Sequence, residues 1–558
     1  MKEVKWQSKL LSSLEKVFFQ MPQVPEYRQG SMLKNEIFSF QLAMYIERPR
    51  PQRINCRVEV ESELKPWIQL RKVDYVPSLL PAIEMLCDDD YITKTPGMFP
   101  DPLHKLTSGD RFDLANHQAR ALWITVEPKG EITGNYPIKL RIYDDGDVLL
   151  EEKSFALEII DAVLPELDIY NTCWFHGDCI AKLHGVSVGS PEYKALVEKY
   201  LAEYVRFGHN MILTPVFTPP LDTAVGGERP TNQLVEVTVV AGCYRFDFSA
   251  LREWIQLCRG YGIRYFEICH LFTQWGAKHA PKVMATVEGI YKRIFGWQTD
   301  ALSVEYRAFL DAFLPKLVAF LKAEGVWESC YFHVSDEPKE ADAEQYRQTR
   351  ALLLPYIPED RLIDALSSYD FYEKGIIRTP IVSTDHIHTF LENGVEDLWA
   401  YYCVSQRMEV GNRFMAQPAY RSRILGCQLY KSRVRGFLHW GFNFWFTKHA
   451  KAVLDPYRDT TAGGNYPSGD AFVVYPVDED GDVVISTRLY VFCEAMQDLR
   501  ALKLLEKLAG ADTAMEFLEE VKGYTVYPRN NGYILSVRQA INARIQSELS
   551  KKEKGQEL

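Results

Sequence analysis

The sequence predicts an α/β protein in which a (β/α)₈ TIM barrel follows an N-terminal antiparallel β-sandwich and precedes a small C-terminal β-hairpin and helix extension. Short alternating segments, punctuated by Pro, Gly and Asp, fill the chain up to about Ala162, which is typical of a sandwich. After Leu164 and Pro165, strand-like runs alternate with amphipathic helices, which indicates βα units and a parallel sheet. We therefore expect three regions, at residues 1–164, 165–465 and 466–558.

The sandwich prediction rests on segments in which apolar and polar residues alternate. One segment, at residues 96–103, contains three prolines, and we interpret it as a rigid connecting loop because proline donates no ladder hydrogen bond. The segments that we predict as sandwich strands are 35–47, 53–62, 67–76, 121–128, 135–145 and 148–160.

Eight candidate strands follow in the second region, separated by helices whose apolar residues recur at i, i+3, i+4 and i+7. The helix that starts near Tyr193 and the helix that contains Leu310 and Leu317 show this stripe, and each stripe should pack on the sheet. An open doubly wound sheet is disfavoured, since no GxGxxG motif follows the first strand. The predicted barrel strands are 168–176, 210–217, 263–272, 328–337, 361–368, 380–388, 397–405 and 436–445.

Composition narrows the classes of partner. The chain of 558 residues carries 64 basic and 75 acidic residues, a net charge of −11, which argues against nucleic-acid and anionic-membrane partners. Its 11 cysteines include no CxxC pair, so they predict neither a zinc site nor a disulfide framework. The N-terminal segment lacks a continuous apolar core and no run of eighteen apolar residues occurs, so a cytoplasmic location is expected. A homo-oligomer is compatible with this composition.

Two adjacent carboxylates, Asp336 and Glu337, lie where the fourth barrel strand should end. They follow the largely apolar run WESCYFHVS and precede Pro338, which cannot continue a ladder. The carboxyl ends of barrel strands are where α/β proteins build their sites. Acidic pairs also occur on ordinary solvated loops, but this pair sits at a strand tip, and His333 lies just upstream. We therefore interpret Asp336 and Glu337 as catalytic.

Other strand ends add aromatic and hydrogen-bonding side chains to the same face of the barrel. Aromatic rings stack on sugar C–H faces while carboxylates, imidazoles and Asn bond hydroxyl groups, so this mixture suits a neutral carbohydrate. Each aromatic could instead belong to the core. The residues that we predict to bind substrate are His176, Asp178, His333, Asp385, His386, Trp399, Tyr402, Trp440 and Asn443.

The DHIH segment offers a metal-binding alternative. Alternation along a strand would put His386 and His388 on one face, with Asp385 opposed. Because no HExxH motif or third ligand at fixed spacing accompanies them, we predict no metal and no cofactor.

Neighbouring acids on one strand tip suggest a particular reaction. Glycoside hydrolysis ordinarily uses two carboxylates on different structural elements, but the seventh predicted strand ends without one. Adjacent acids instead suit substrate-assisted hydrolysis, in which the 2-acetamido oxygen attacks the anomeric carbon. Two alternatives stay open: a retaining glycosidase that uses a protein nucleophile such as Asp178 or Asp385, and a carbohydrate-binding barrel without turnover.

Four segments resemble glycoside hydrolase family 123, in a wider group once labelled by a domain of unknown function. They are HVSDEP, GFLHWGFNFW, GNYPSGDAFVVYP and STRLYVFCEAMQDLRALKLL, and they occur in the order expected for that family. The resemblance implies an N-terminal β-sandwich, a catalytic barrel and β-N-acetylgalactosaminidase activity through an oxazolinium intermediate, with an oligosaccharide or glycoconjugate as substrate. It also implies that Asp336 orients the acetamido group and that Glu337 is the general acid/base.

Overall fold

The computed structural model describes residues 5–47, 53–107 and 109–556. Its strands form four sheets. In chain order the strands are β1 (Lys5–Ser12), β2 (Gln29–Lys34), β3 (Phe38–Glu47), β4 (Arg53–Glu61), β5 (Ile68–Ser78), β6 (Gly97–Leu106), β7 (Arg111–Ala115), β8 (Arg120–Val126), β9 (Gly134–Tyr143), β10 (Leu149–Val163), β11 (Tyr170–Cys173), β12 (Met211–Thr214), β13 (Glu236–Val240), β14 (Cys243–Asp247), β15 (Tyr265–Ile268), β16 (Val283–Val287), β17 (Ile290–Phe295), β18 (Cys330–Phe332), β19 (Ile363–Leu366), β20 (Thr379–Ser383), β21 (Trp399–Tyr401), β22 (Gly436–His439), β23 (Val474–Val477) and β24 (Val483–Ser486).

Helices surround and connect these sheets. They are α1 (Gly177–His184), α2 (Pro191–Arg206), α3 (Ser249–Tyr261), α4 (Val304–Ala323), α5 (Ala343–Ala351), α6 (Asp370–Glu373), α7 (Ile387–Glu392), α8 (Tyr420–Arg423), α9 (Leu425–Ser432), α10 (Thr487–Ala509), α11 (Ala511–Glu516) and α12 (Asn531–Gln556). None of the helices in the described ranges is both long enough and apolar enough to cross a membrane.

An antiparallel seven-stranded sheet packs on a five-stranded sheet to form the N-terminal sandwich. The strand orders are β1-β3-β8-β5-β6-β24-β23 and β2-β10-β9-β4-β7. The alternation in the sequence sets which side chains are buried: on β4, Ile54, Cys56 and Val58 point into the core between the sheets. The six predicted sandwich strands are confirmed as β3, β4, β5, β8, β9 and β10.

The prediction of a loop at residues 96–103 is wrong, because β6 runs through this segment. Two features let the strand tolerate its prolines. A register shift between Val73 and Tyr75 interrupts the pairing of β6 with β5, and the other edge of β6 meets only Ile485 and Ser486 of β24. Few ladder hydrogen bonds are therefore lost.

Eight parallel strands form the central sheet, in the order β18-β15-β12-β11-β22-β21-β20-β19. Seven of them lie within predicted barrel strands, and the eighth, β20, overlaps the predicted sixth strand but starts one residue earlier. The two ends of the sheet, β18 and β19, are joined by one parallel bridge between Phe332 and Leu362. The result is a nearly closed parallel barrel.

The helical layer around the barrel is uneven, so a regular helix does not follow every strand. The helices α6 and α7, after the fifth and sixth strands, have only 4 and 6 residues. The sixth strand was also predicted too long: β20 ends at Ser383, and α7 already begins at Ile387. In contrast, α2 and α4 have the predicted apolar stripes, and Ser190 and Ser303 cap their N-termini by accepting backbone hydrogen bonds.

The long connections after the second and third barrel strands contain their own strands. These form a four-stranded sheet in the order β14-β13-β16-β17. The C-terminal hairpin pairs with β6 through β24 and so supplies the last two strands of the seven-stranded sheet of the sandwich. Its first strand also contacts the segment after the eighth barrel strand, where Trp445 Nε1 donates to the Val474 carbonyl. The hairpin therefore ties the sandwich to the barrel.

Candidate active site

The turn that carries Asp336 and Glu337 is fixed by backbone hydrogen bonds on both sides. The Trp275 N–H donates to the Asp336 carbonyl at 2.9 Å, and the Glu337 N–H donates to the Ala365 carbonyl at 3.1 Å. Glu337 has a φ of +43°, a left-handed conformation that is costly for a residue other than glycine. Such strain persists only where the surroundings determine the conformation, as these two bonds do here.

Both carboxylates line a cavity of about 230 Å³ at the carboxyl end of the barrel. A larger cavity of about 410 Å³ lies outside the barrel between α2 and α3, but its carboxylates, Glu198, Glu236 and Glu253, are exposed at its rim. The smaller cavity is the better candidate for an active site, since its three acids are partly buried and line one enclosed space. It is lined by Trp174, Leu221, Asp222, Gln274, Trp275, Asp336, Glu337, Ala365, Tyr401, Cys403, Val404, Leu438, Trp440, Lys448 and Tyr466.

Glu337 is held by donors from the seventh strand. Its Oε1 accepts a hydrogen bond of 2.8 Å from the Tyr401 hydroxyl, and the Cys403 Sγ lies 3.9 Å away. Burial raises the pKa of Glu337 above its usual range, and the nearby Asp385 charge raises it further, whereas the Tyr401 bond opposes both. A raised pKa suits a group that must hold a proton and then release it.

Asp336 differs from its neighbour in its contacts. Within the described ranges, no protein group donates a hydrogen bond to its carboxylate, which faces the cavity. Burial raises the pKa of Asp336 well above its usual range, followed by repulsion from Glu337, while the charge of His333 opposes the rise. The carboxylate is thus free to accept a hydrogen bond from a ligand.

A third carboxylate, Asp222, stands on another wall of the cavity. Its Oδ1 accepts a bond of 2.8 Å from the Tyr466 hydroxyl, and its Oδ2 accepts the His449 N–H at 3.1 Å. Its own N–H donates to Gln274 at 2.7 Å. Burial raises the pKa of Asp222. These bonds hold a carboxylate at the edge of the cavity, where it can accept hydrogen bonds from hydroxyl groups.

Indole rings form much of the remaining wall. Trp440 lies in the cavity, and its Nε1 donates to the buried Asp470 Oδ2 at 3.1 Å. Trp174 is anchored from beneath, since its Nε1 donates to Glu267 at 2.6 Å. With both indole N–H groups engaged by protein, the ring faces are left for apolar contact.

Comparison with known families assigns the chain to a family. The family model of the glycoside hydrolase 123 catalytic domain matches residues 174–505, which cover seven of the eight barrel strands, the cavity and α10 up to Leu505; only β11 lies before the matched range. This protein belongs to glycoside hydrolase family 123. It is therefore a glycosidase, and its substrates are glycans.

One solved structure of a family 123 enzyme has the same fold as this chain. A family 123 glycoside hydrolase from Clostridium perfringens, described in a study of glycolipid glycan hydrolysis, has a TM-score of 0.73 at 15% identity over 99% of both chains. Much weaker similarity, with a TM-score of 0.30 at 10% identity, relates 88% of this chain to 52% of a Parabacteroides merdae β-glucuronidase. A Bifidobacterium dentium β-glucuronidase has a TM-score of 0.31 at 8% identity, over 89% and 66% of the two chains. No functionally curated protein matches the sequence.

The structure of this family 123 glycosidase brings only some of the predicted site residues together. Asp336, Glu337 and Trp440 line the cavity. Asp385 does not line it, although its charge acts on Glu337; it accepts hydrogen bonds from His386 and Gln406. His386 points largely into solvent, with its side chain 56% exposed. His333 is fully buried beneath the cavity and cannot contact substrate.

Three residues from the first and eighth strand ends hold the protein together instead of reaching substrate. Asp178 forms a buried bidentate ion pair with Arg229, and His176 Nδ1 lies 3.1 Å from the same guanidinium. Asn443 exchanges hydrogen bonds with the His176 backbone. Burial, followed by the Arg229 charge, lowers the pKa of His176 to about 3. The prediction that these three residues contact the sugar is corrected, because none of them lines the cavity. Asp178 and His176 hold Arg229, which donates to the Leu221 carbonyl and so braces the loop that carries Asp222.

The seventh strand presents Tyr401 to the cavity in place of Trp399 and Tyr402. Trp399 lies at the other end of this short strand, stacked on Tyr170 at 4.8 Å, and Gly436 is required beside it because a Cβ there would lie 2.3 Å from the indole. Tyr402 packs on Phe437 and His439. Successive strand residues point to opposite faces, so Tyr401 and Tyr402 cannot both face the cavity.

The DHIH segment does not form a metal-ligand set. His386 contacts Asp385, whereas His388 lies on the exposed face of α7 near Glu392. The strand geometry that would have aligned the two histidines is absent, because the chain turns into a helix between them.

Sequence reasoning missed several cavity residues that lie outside the barrel strands. No pattern assigned these side chains to the cavity, although Tyr466 lies in the GNYPSGDAFVVYP segment and Cys403 lies in the predicted seventh strand. They are Asp222, Gln274, Cys403, Lys448 and Tyr466.

Proposed function

We propose that this enzyme releases terminal β-linked N-acetylgalactosamine by a retaining, substrate-assisted mechanism, with Asp336 orienting the 2-acetamido group and Glu337 acting as general acid and base. One observation carries the proposal: two adjacent carboxylates share one cavity, yet among the residues that the structure describes only the Glu337 carboxylate accepts a hydrogen bond from protein. Asp336 is therefore available to accept the acetamido N–H. Neighbouring side chains can reach the acetamido nitrogen and the glycosidic oxygen, which are neighbouring positions on the substrate.

In the first step, the acetamido carbonyl oxygen attacks the anomeric carbon while the bond to the leaving oxygen breaks. Glu337 gives its proton to that oxygen, and Asp336 accepts the N–H and stabilises the positive charge of the oxazolinium. In the second step Glu337 removes a proton from water, whose oxygen attacks the anomeric carbon and opens the ring. Two inversions give overall retention. The raised pKa of Glu337 supports its protonated form at the start.

The lining of the cavity supports a neutral sugar. The faces of Trp174, Trp275 and Trp440 offer surfaces for sugar C–H groups, while Asp222 offers oxygen acceptors for hydroxyl groups. The preference for galactosamine follows from the resemblance to the family. Because the related Clostridium perfringens enzyme is described as acting on a glycolipid glycan, we include glycolipid headgroups among the candidate substrates.

In the alternative mechanism, a retaining glycosidase with a protein nucleophile, Asp178 is no longer a candidate for the nucleophile. Asp178 is bound on both oxygens by Arg229 and lies outside the cavity lining, so it has no route to an anomeric carbon.

We further infer that the nearly closed sheet is a (β/α)₈ barrel in which the fifth and sixth helices have become short. Around the axis the eight strands follow one another in chain order, as they do in a (β/α)₈ barrel, and this order supports the interpretation.

The deciding experiment compares hydrolysis of nitrophenyl N-acetyl-β-galactosaminide with that of the corresponding glucosaminide and galactoside. We expect release of nitrophenol from the galactosaminide, less from the glucosaminide, and none from the galactoside, which lacks the acetamido nucleophile. A galactosamine-derived thiazoline, which mimics the cyclised intermediate, should inhibit competitively. Turnover of the galactoside, or failure of the thiazoline to bind an active enzyme, would exclude the substrate-assisted mechanism.

A further inference from the structure

A buried histidine between two carboxylates lies directly upstream of the proposed catalytic turn. His333 Nε2 is 2.5 Å from Glu267 Oε1, and His333 Nδ1 is 3.0 Å from Asp364 Oδ1. All three side chains are 0% exposed. Ionised carboxylate oxygens only accept hydrogen bonds, so this geometry requires an N–H on both ring nitrogens. With both carboxylates ionised, the ring is an imidazolium whose two protons are held by opposite partners.

Each carboxylate partner connects the imidazolium to a part of the site. Asp364 accepts the backbone N–H groups of Val334 and Ser335 at about 3.2 Å and also the Tyr346 hydroxyl. Ser335 precedes Asp336 directly. Its hydroxyl donates to the Thr273 carbonyl at 2.8 Å. The backbone leading into the turn is thus hydrogen-bonded to the group that His333 holds.

The second partner reaches the cavity wall. Glu267 Oε1, which binds His333, also accepts the Trp174 indole N–H, and its Oε2 accepts the Thr172 hydroxyl at 2.7 Å. The cluster therefore joins β11, β15, β18 and β19 below the cavity. A buried network of this kind is rigid only while every member is satisfied, since an unpaired buried charge is costly.

We propose that His333 is a positioning residue that, through Asp364 and Ser335, holds the Asp336–Glu337 turn in the position that the reaction needs. The inference rests on the proposed roles of those two acids and explains what fixes the backbone that carries them. It replaces the substrate contact that the sequence suggested for His333.

The surrounding charges are consistent with this role. The titratable groups that face His333 are Glu267, Asp364, Asp336 and His270, whose ring stacks on it at 4.2 Å. Burial lowers the pKa of His270 well below its usual range, so this neighbour stays neutral. Burial alone would lower the pKa of His333, but its two carboxylate partners together raise it to about 10. Its positive charge in turn opposes the rise in the pKa of Asp336.

A metal ion is the competing interpretation of the same residues. One ligand atom each from His270, His333 and Asp364 lies within 4.8 Å of the others, and neither nitrogen of His270 has a hydrogen-bond partner in the described part of the chain. A metal on His333 would have to replace a proton that now bridges to a carboxylate. The two interpretations therefore predict different protonation of one ring.

The first experiment is a double-mutant cycle of His333→Gln and Asp336→Asn, measured as kcat and KM on nitrophenyl N-acetyl-β-galactosaminide. If His333 acts through Asp336, His333→Gln lowers kcat about 100-fold, and adding it to Asp336→Asn changes the residual rate by less than about 3-fold. Fully additive losses would show a merely structural role and overturn the proposal. Asp364→Asn, which removes one charge but keeps an acceptor for Ser335, should reproduce part of the loss if His333→Gln does not fold.

The matched control is His209→Gln. This histidine is equally buried and bonds the Tyr204 carbonyl at 3.0 Å, but it has no link to the turn. We expect kcat to change by less than about 3-fold in the folded control. A loss equal to that of His333→Gln would overturn the specific role of His333.

The second experiment does not depend on activity. Nitrogen NMR of the full chain with ¹⁵N-labelled histidine, assigned by the His333→Gln variant, should show two protonated nitrogens on His333 at pH 8. A neutral His333 ring, or a stoichiometric metal ion found by elemental analysis, would overturn the proposal. If instead the imidazolium is present but the enzyme does not cleave N-acetyl-galactosaminides, the proposed function has failed and the buried ion cluster stands.

Discussion

The Tyr401 hydroxyl donates a hydrogen bond of 2.8 Å to Glu337 Oε1, joining the seventh and fourth barrel strands across the mouth of the cavity. Burial raises the pKa of Tyr401 well above its usual range, so the hydroxyl keeps its proton and remains the donor. The bond stabilises the ionised form of Glu337 and limits the rise of its pKa. Tyr401 thus adjusts a group that must work both as acid and as base.

Tyr401→Phe should shift the pH dependence of the reaction upward. Without the donor the pKa of Glu337 rises, so the general acid stays protonated to higher pH and the alkaline limb of kcat/KM moves by about one to two pH units. Tyr402→Phe is the matched control, because that ring packs on Phe437 and His439 away from the cavity. An unshifted alkaline limb in Tyr401→Phe would show that Glu337 is not the group that titrates.

Glu337→Gln should separate substrates by their leaving group. Removing the general acid lowers kcat by about 10²- to 10⁴-fold when the departing oxygen is a sugar alkoxide, and by much less for an activated nitrophenolate. Comparing an N-acetylgalactosamine-terminated oligosaccharide with the nitrophenyl glycoside measures this difference. Glu340→Gln, an exposed acid in the same connection, serves as control. Equal losses on both substrates would point to a role other than acid catalysis.

Replacing Trp440 by alanine should weaken substrate binding, whereas replacing Trp399 by alanine should destabilise the fold. Trp440 lines the cavity, so Trp440→Ala should raise KM about 10- to 100-fold, as expected for a lost apolar contact with the sugar. Trp399 is fully buried against Tyr170, so Trp399→Ala should lower the free energy of unfolding by roughly 3–5 kcal/mol. Steady-state kinetics and denaturant unfolding of both variants check the contrast. A raised KM in folded Trp399→Ala would restore it as a substrate contact.

The sequence predicted the positions of the barrel strands well because their signal is local. A buried parallel strand is a short apolar run between helices, and all eight such runs overlap an observed strand. The prediction for residues 96–103 was wrong because the pairing that makes this segment a strand is not visible in the local sequence. Its prolines argue against a strand, but β6 pairs with β5 along one edge, and its other edge needs only two pairs with β24 of the C-terminal hairpin, far along the chain.

The candidate site was partly predictable for a related reason. Asp336 and Glu337 are neighbours in sequence and end a strand, so their proximity needs no tertiary information. In contrast, Asp222 reaches the cavity through a loop fixed by Arg229 and Asp178, a contact that no local pattern reveals. The seventh strand shows a third limit: it is three residues long, so a one-residue uncertainty in its register exchanges Tyr401 for Tyr402.

Asp470→Asn should change how stability depends on pH. Asp470 is fully buried beneath Trp440, and burial raises its pKa to about 7, although the Arg413 charge opposes the rise. Between about pH 4 and pH 7 the folded protein therefore keeps a proton at Asp470 that the unfolded chain has lost. The stability contributed by this proton, roughly 4 kcal/mol from the pKa difference, is present at low pH and is lost as the pH rises to 7.

Asparagine stays neutral at every pH and can still accept the Trp440 N–H, so the variant should lack this loss. We expect the unfolding free energy of Asp470→Asn, relative to the unmodified protein, to increase from pH 5 to pH 8. Because other buried groups titrate equally in both proteins, the difference between the two curves isolates Asp470. Asp459→Asn, at a partly exposed acid in the preceding loop, should give a difference that does not vary with pH in this way. A constant difference for Asp470→Asn would mean that the carboxyl group beneath Trp440 is already ionised at pH 5.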